Sequence, residues 1–134
     1  MNFKNRFFEA NEIKPNLFEY TIFAVEPTNQ ELNEWIAFLE KLIVERKRVA
    51  SIYQLANMKF LKAEHRIAIG NWTKKQVEVI KETTIGVGYK TDGVLGKIVL
   101  NGIFLIQKPV YPTLISTKDE EIMSWIEELM AKEK

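Results

Sequence analysis

The chain alternates between two rhythms: apolar residues at every second position, and apolar residues at every third or fourth. "LFEYTIFAV", 17–25, sets Phe18, Tyr20 and Ile22 against Glu19 and Thr21 and is rich in aromatic and β-branched residues, which predicts a strand. Pro15-Asn16 before it marks a turn, so the ambiguous segment 3–13 is read as a short edge strand forming an antiparallel hairpin with 17–25. Thr28 opens the clearest helix. Thr28 and Glu31 have capping-box spacing, in which each side chain satisfies the other's free backbone amide. Leu32, Trp35, Ile36, Leu39 and Ile43 share one helical face, and the basic cluster at 45–48 suits the negative end of the helix dipole.

"VASIYQLAN", 49–57, predicts a buried strand. A weaker helical stretch, 62–82, places Ile69, Trp72, Gln76, Val79 and Ile80 on one side, with Gly70 costing about 1 kcal/mol relative to alanine. "TTIGVGY", 83–89, reads as a short strand whose glycines admit a close neighbour. A helix over 92–106 stops before Pro109. "VYPTLIS", 110–116, is the last strand, with Pro112 pointing to an edge or a strand start. A final helix carries the stripe Ile122, Trp125, Ile126, Leu129 and Met130 behind a capping box expected at Thr117 and Glu120. The order β-β-α-β-α-β-α-β-α implies an α/β domain over 1–134, a small mixed, mainly parallel sheet flanked by about four helices.

Composition narrows the function classes. The 19 Lys and Arg nearly balance 18 Asp and Glu, a net charge of +1 that disfavours nucleic acid as a partner. The absence of cysteine removes thiolate chemistry, disulfides and Cys-ligated metals, and fits a reducing, cytoplasmic location. The longest apolar stretch, 98–106, is interrupted by Asn101 and Gly102 and falls short of the ~20 residues of a membrane span.

Candidate chemistry is sparse. "TDGVLGK", 91–97, suggests a phosphate loop, but only two residues separate Gly93 from Gly96, and Lys97 is followed by Ile98 where Walker A needs Ser or Thr. The sole histidine, His65, reads as a solvated residue at a helix start, and "TKKQ", 73–76, as a solvated face. The carboxylates, Glu9, Glu12, Glu31, Glu34, Glu127 and Glu128 among them, sit in helical, capping or solvent-facing positions. Trp35, Trp72 and Trp125 fall in helical apolar stripes and are expected in the core. No catalytic set, metal site or cofactor is therefore expected; an enzyme would have to be built from His65, Arg66, Tyr89 and nearby carboxylates. A ligand site, if present, is expected at the carboxyl ends of the parallel strands, from Gln54, Asn57, Arg66, Tyr89 and Lys90.

The 92–106 helix has an apolar surplus. Only Gly93, Lys97 and Asn101 make a polar line, against Val94, Leu95, Ile98, Val99, Phe104 and others, so the helix is either deeply buried or presents a patch to a partner or apolar ligand. The partner is an unknown protein or a second copy in a homodimer.

"HRIAIGNWTKK" and "GVGYKTDGVLGKIVLNGIFLIQKPVYPTLISTKDEEIMSWIEELM" resemble the SpoIIAA-like branch of the STAS domains (sulfate transporter and anti-sigma factor antagonist). The likeness is to small stand-alone bacterial proteins, through Pro109-Val-Tyr-Pro112, the Thr117 region and Glu121 to Trp125. It implies a small mixed sheet flanked by helices and a non-enzymatic regulatory or adaptor role in signalling through protein docking. Antagonists of the family are switched by phosphorylation of a serine at the start of the helix after the second core strand. Here that region, "QLANMKFLKAEHR", 54–66, contains no Ser, Thr or Tyr, so the resemblance does not carry the phosphoswitch. Related folds in lipid-transfer proteins hold apolar molecules beneath a mobile helix, which makes a small-molecule or lipid binder the alternative.

Overall fold

The computed structural model describes residues 1–58 and 61–133, with Leu95 described by its backbone alone. Among these residues six strands form one sheet in sequential order: β1 (Asn2–Lys4), β2 (Phe8–Lys14), β3 (Leu17–Ile22), β4 (Val49–Gln54), β5 (Thr84–Lys90) and β6 (Thr113–Ser116). β1, β2 and β3 pair antiparallel; β3 to β6 run parallel. The helices are α1 (Asn29–Glu45), α2 (Ala63–Lys75), α3 (Val77–Thr83), α4 (Val94–Ile106) and α5 (Asp119–Ala131). The α/β class and the mixed, mainly parallel sheet are as the sequence pattern predicts.

Four differences have identifiable causes. The opening segment makes two strands, because Asn5 Oδ1 accepts from the backbone amides of Phe7 and Phe8 at 2.8 and 2.9 Å and turns the chain between them. The 62–82 stretch divides at Gln76 into α2 and α3, giving five helices. At α5 the first turn is served by Ser116, whose hydroxyl accepts from Lys118 N and donates to Glu121, so the expected Thr117–Glu120 box does not form. The basic cluster after α1 does not serve its dipole. Arg46 lies beyond the last turn and pairs bidentately with Glu12, while Arg48 pairs with Glu133 and donates to the carbonyls of Glu82 and Thr84.

The capping box at Thr28 and Glu31 is present, as is the turn at Pro15-Asn16, where Asn16 adopts φ 65°. Pro112 directly precedes β6, which is an edge strand. α1 buries Leu32, Trp35, Phe38 and Leu42, so its inner face is turned slightly from the predicted stripe, in which Ile36, Leu39 and Ile43 end half-buried.

Successive side chains of a strand face opposite sides of the sheet. One side is covered by α5: Leu17, Ala50, Ile52 and Ile85 pack against Ile122 and Ile126. Gly86 and Gly88 let this helix approach, since a Cβ on Gly88 would collide with Ile122. The other side carries α1, α2 and α4 over Phe8, Phe18, Tyr20, Val87 and Tyr89. α4 lies along α2, where Ile106 fills the space over Gly70; a Cβ there would come within 2.6 Å of the Ile106 side chain. Among the described residues no helix is long and apolar enough to cross a membrane.

Candidate functional site

The parallel register brings three tyrosines level. Tyr20 of β3 is paired with Tyr53 of β4, and Tyr53 with Tyr89 of β5, all on the α1/α2/α4 side. Their rings stack across the strands, with centroids 4.6 Å apart at 12° and 5.4 Å apart at 18°. Tyr111, ahead of β6, closes the row through a 2.8 Å hydrogen bond between its hydroxyl and that of Tyr89. These are all four tyrosines of the chain.

Above the row lies a cavity of about 150 Å³, walled by the sheet, α1, α2 and α3, and by Val99, Leu100, Ile103 and Phe104 of α4. Phe104 stands edge-on to Tyr89 with centroids 5.8 Å apart. All four tyrosines contribute to the wall, and among the described residues no charged one does. The volume matches that of an engineered apolar cavity of about 150 Å³ that binds benzene.

Two buried polar atoms of residues that line this cavity have no hydrogen-bond partner among the described residues: the Tyr20 hydroxyl and the Trp35 indole Nε1–H. The Ser51 hydroxyl, the nearest polar group to act on Tyr20, draws its pKa down as a hydrogen-bond donor would, although the two do not meet in full hydrogen-bond geometry. Burial is the larger influence and pushes the phenol pKa up at Tyr20, and well up at Tyr53 and Tyr89; Tyr111 is raised by the same cause. The phenols therefore remain protonated donors at neutral pH. An unsatisfied buried donor costs roughly 1–3 kcal/mol.

The residues expected at the strand ends are not gathered into one site. Tyr89 reaches the cavity. Gln54 faces the opposite side, donating from Nε2 to Glu19 at 3.2 Å and Asp119 at 2.9 Å in a shallow depression beside α5. Asn57 is exposed, Lys90 is half-buried and its carbonyl accepts from Leu55 N, and Arg66 packs its stem against Gly102 of α4. A one-residue step along a strand reverses the direction of the side chain, which separates Gln54 and Lys90 from the tyrosines that precede them.

α4 is divided between its two faces. Val99 is 1% exposed and Phe104 points inward, so neither belongs to an outer patch. Val94, Ile98 and Leu105 are the exposed apolar residues, Leu105 at 88%. The side chain of Leu95 lies outside the described residues, as do Lys59 and Phe60 in the 54–66 region.

His65 departs from its expected solvated position. It is 3% exposed, with Nε2 3.2 Å from Asn29 Oδ1 at the start of α1. It does not line the cavity. In the 73–76 stretch Lys74 and Lys75 are exposed, whereas Thr73 lines the cavity. Glu12 is held down to about 2 by Arg46 and by the Asn16 amide; Arg6 lowers Glu31 and Arg48 lowers Glu133. These carboxylates are structural anchors. Trp35 is buried, while Trp72 and Trp125 are half-buried, and Trp72 donates to Glu40.

Sequence reasoning missed the tyrosine row. Its signal is a tyrosine followed by a polar residue near the end of three successive strands: Tyr20-Thr21, Tyr53-Gln54 and Tyr89-Lys90.

No family model matches the chain, and no curated protein does. Its fold is similar to the crystal structure of an uncharacterized protein of the DUF3478 family with a SpoIIAA-like fold from Shewanella loihica PV-4. The TM-score is 0.64 at 7% identity, covering 88% of this chain and 90% of that one. The chain thus has a SpoIIAA-like fold.

Proposed function

We propose that this chain is a non-catalytic binding module that holds a small neutral molecule beneath α4. The observation that carries the reading is the cavity of about 150 Å³ between the tyrosine row and α4, whose described lining residues are all uncharged. Compact domains are normally packed to crystal-like density, so space of this size at the centre of a face is unusual. Its wall offers aromatic and aliphatic surface with a few polar groups, the make-up of ligand pockets in general. The absence of charged groups from the wall among the described residues supports binding over acid–base catalysis, since the phenols there are held protonated by burial.

Thermal unfolding in the presence of cumene tests this. At ten times its Kd the probe is expected to raise Tm by about 4–6 °C. Ser51→Leu, which adds bulk at the cavity wall, should abolish that rise; an unchanged wild-type Tm would refute the reading.

A second reading, the regulatory or adaptor role, is favoured by the outer face of the same helix, where Val94, Ile98 and Leu105 are exposed. A second copy or another protein would cover them. Sedimentation velocity then finds a dimer or a complex that Leu105→Lys dissociates without lowering Tm; a monomer unaffected by the substitution, with no protein retained from native lysate, counts against it.

A further inference from the structure

We infer that the free edge of β6 takes up an extended peptide segment in which basic and apolar residues alternate. β6 packs on β5 and on α5, and no strand pairs with its other edge. Val87 N donates to the carbonyl of Pro112 and Thr91 N to that of Ser116, so residues 112, 114 and 116 turn their backbone groups toward β5. Those of Thr113 and Ile115 therefore point outward. The next outward carbonyl upstream, that of Tyr111, is already met by the Thr113 hydroxyl at 3.1 Å. The N–H and C=O groups of Thr113 and Ile115 remain, spaced to pair with one added strand. The opposite edge of the sheet is guarded: β1 is three residues long and ends in Lys4, whose ammonium lies over the Phe23 ring. β6 carries no charge.

The side chains around the edge define what the added strand should carry. Leu114 faces α5, on whose β6 side Glu121, Trp125 and Glu128 recur at helical spacing. Glu121 is placed there by a 3.1 Å bond from the Ser116 hydroxyl, and Trp125 by its approach to Gly86. The other flank of α5, with Glu120, Ser124 and Glu127, lies over β3 and β4. Glu121 and Glu128 are exposed, and among the described residues neither has a cationic partner, unlike Glu127 with Lys14 and Glu133 with Arg48. Lys132 ends the row. A residue opposite Leu114 shares its side of the sheet and stands beside this row, where lysine or arginine is favoured. On the other side Ile115 is 37% exposed, so the flanking residues of the segment gain by being apolar. The segment lies beyond the edge and leaves the packed contact between α5 and the sheet as it is.

A second copy of the chain fits this edge less well. Two β6 strands paired about a twofold axis would set both α5 helices on one side of the joined sheet. The two rows of Glu121 and Glu128 would then face each other.

Amide NMR titration of the full labelled chain with blocked hexapeptides tests the inference. A peptide alternating valine and lysine is expected to shift the amides of Thr113 and Ile115 with a Kd on the order of 0.1–1 mM, and its glutamate counterpart to bind at least roughly tenfold more weakly. The double variant Glu121→Lys, Glu128→Lys, at exposed positions, should weaken the lysine peptide about five- to tenfold at low salt. Methylating the valine backbone nitrogens removes the donors that face β6 and should abolish binding. Ile115→Pro takes away an outward N–H alone and should do the same. Equal binding of the lysine and glutamate peptides would overturn the basic character of the segment. Undiminished binding of the methylated peptide would overturn strand addition, as would shifts centred elsewhere or none at all. A dimer in sedimentation velocity that Ile115→Pro dissociates would assign the edge to a second copy and overturn the peptide reading. Should Ile115→Pro fail to fold, the methylated peptide decides.

Discussion

The two faces of the sheet solve the packing problem differently, and β5 shows how. At its start Ile85 packs toward α5; beyond it Gly86 and Gly88 face α5, and Val87 and Tyr89 face the other way. On the glycine side α5 sits close to the strands, with Ile122 over Gly88 and Leu129 and Trp125 against Gly86. Ile126 is fully buried there. On the tyrosine side the rings of three strands stand up from the sheet, α4 rests on α2, and a cavity remains between them. Alternating small and large residues in one strand thus sets how near each covering helix comes. The closed face supplies stability, and the open face leaves room for a ligand.

Truncations should measure that contrast most strongly. Ile126→Ala on the closed face is expected to cost about 3–5 kcal/mol, a fall in Tm of roughly 10–18 °C. Ile103→Ala, half-buried at the edge of an existing cavity, should cost about 1–2 kcal/mol by chemical denaturation. Equal costs would erase the distinction between the faces. Next in size is Gly88→Val, which forces a side chain into Ile122; overpacking of this kind costs about 2–3 kcal/mol.

The ion pair that ties β2 to the end of α1 comes third. The Glu12 carboxyl is depressed from 4.5 to about 2, so its contribution is complete above pH 4.5 and is lost as pH falls from there toward 2. Glu12→Gln should lower stability by about 1–2 kcal/mol at pH 7, and its melting temperature should fall less steeply than that of the wild type across this acid window. Parallel acid profiles would show that Glu12 titrates normally. The smallest effects separate the tyrosines: Tyr89→Phe gives up the bond to Tyr111 and should cost about 1 kcal/mol. Tyr20→Phe removes an unpartnered buried hydroxyl and should instead raise stability, by about 1 kcal/mol.

Features with local causes were legible in the sequence. The box at Thr28 and Glu31, the turn at Pro15-Asn16, the α5 stripe and the edge position signalled by Pro112 depend on residues within a few positions of one another. Features set by distant partners were not. Arg46 and Arg48 read as dipole partners of α1, but Glu12 and Glu133, far off in sequence, bring carboxylates to them and win by direct charge-assisted bonds. His65 read as solvated because nothing nearby announces that Asn29 will meet it. The apolar surplus of α4 was visible, yet its division into an inward face at Val99 and Phe104 and an outward one at Val94, Ile98 and Leu105 requires the position of α2. The tyrosine row needed the register of three strands, which no single segment contains.

The central claim is that the space under α4 is a binding site and that the α5 face is not. Titration of isotopically labelled protein with acetophenone, followed by two-dimensional amide NMR, tests it most directly. Saturable shifts confined to Tyr20, Tyr53, Tyr89, Val99 and Phe104 and their neighbours, with Ile122 and Ile126 unmoved, are the expected result. Shifts centred on α5, or none at saturating probe, would contradict it.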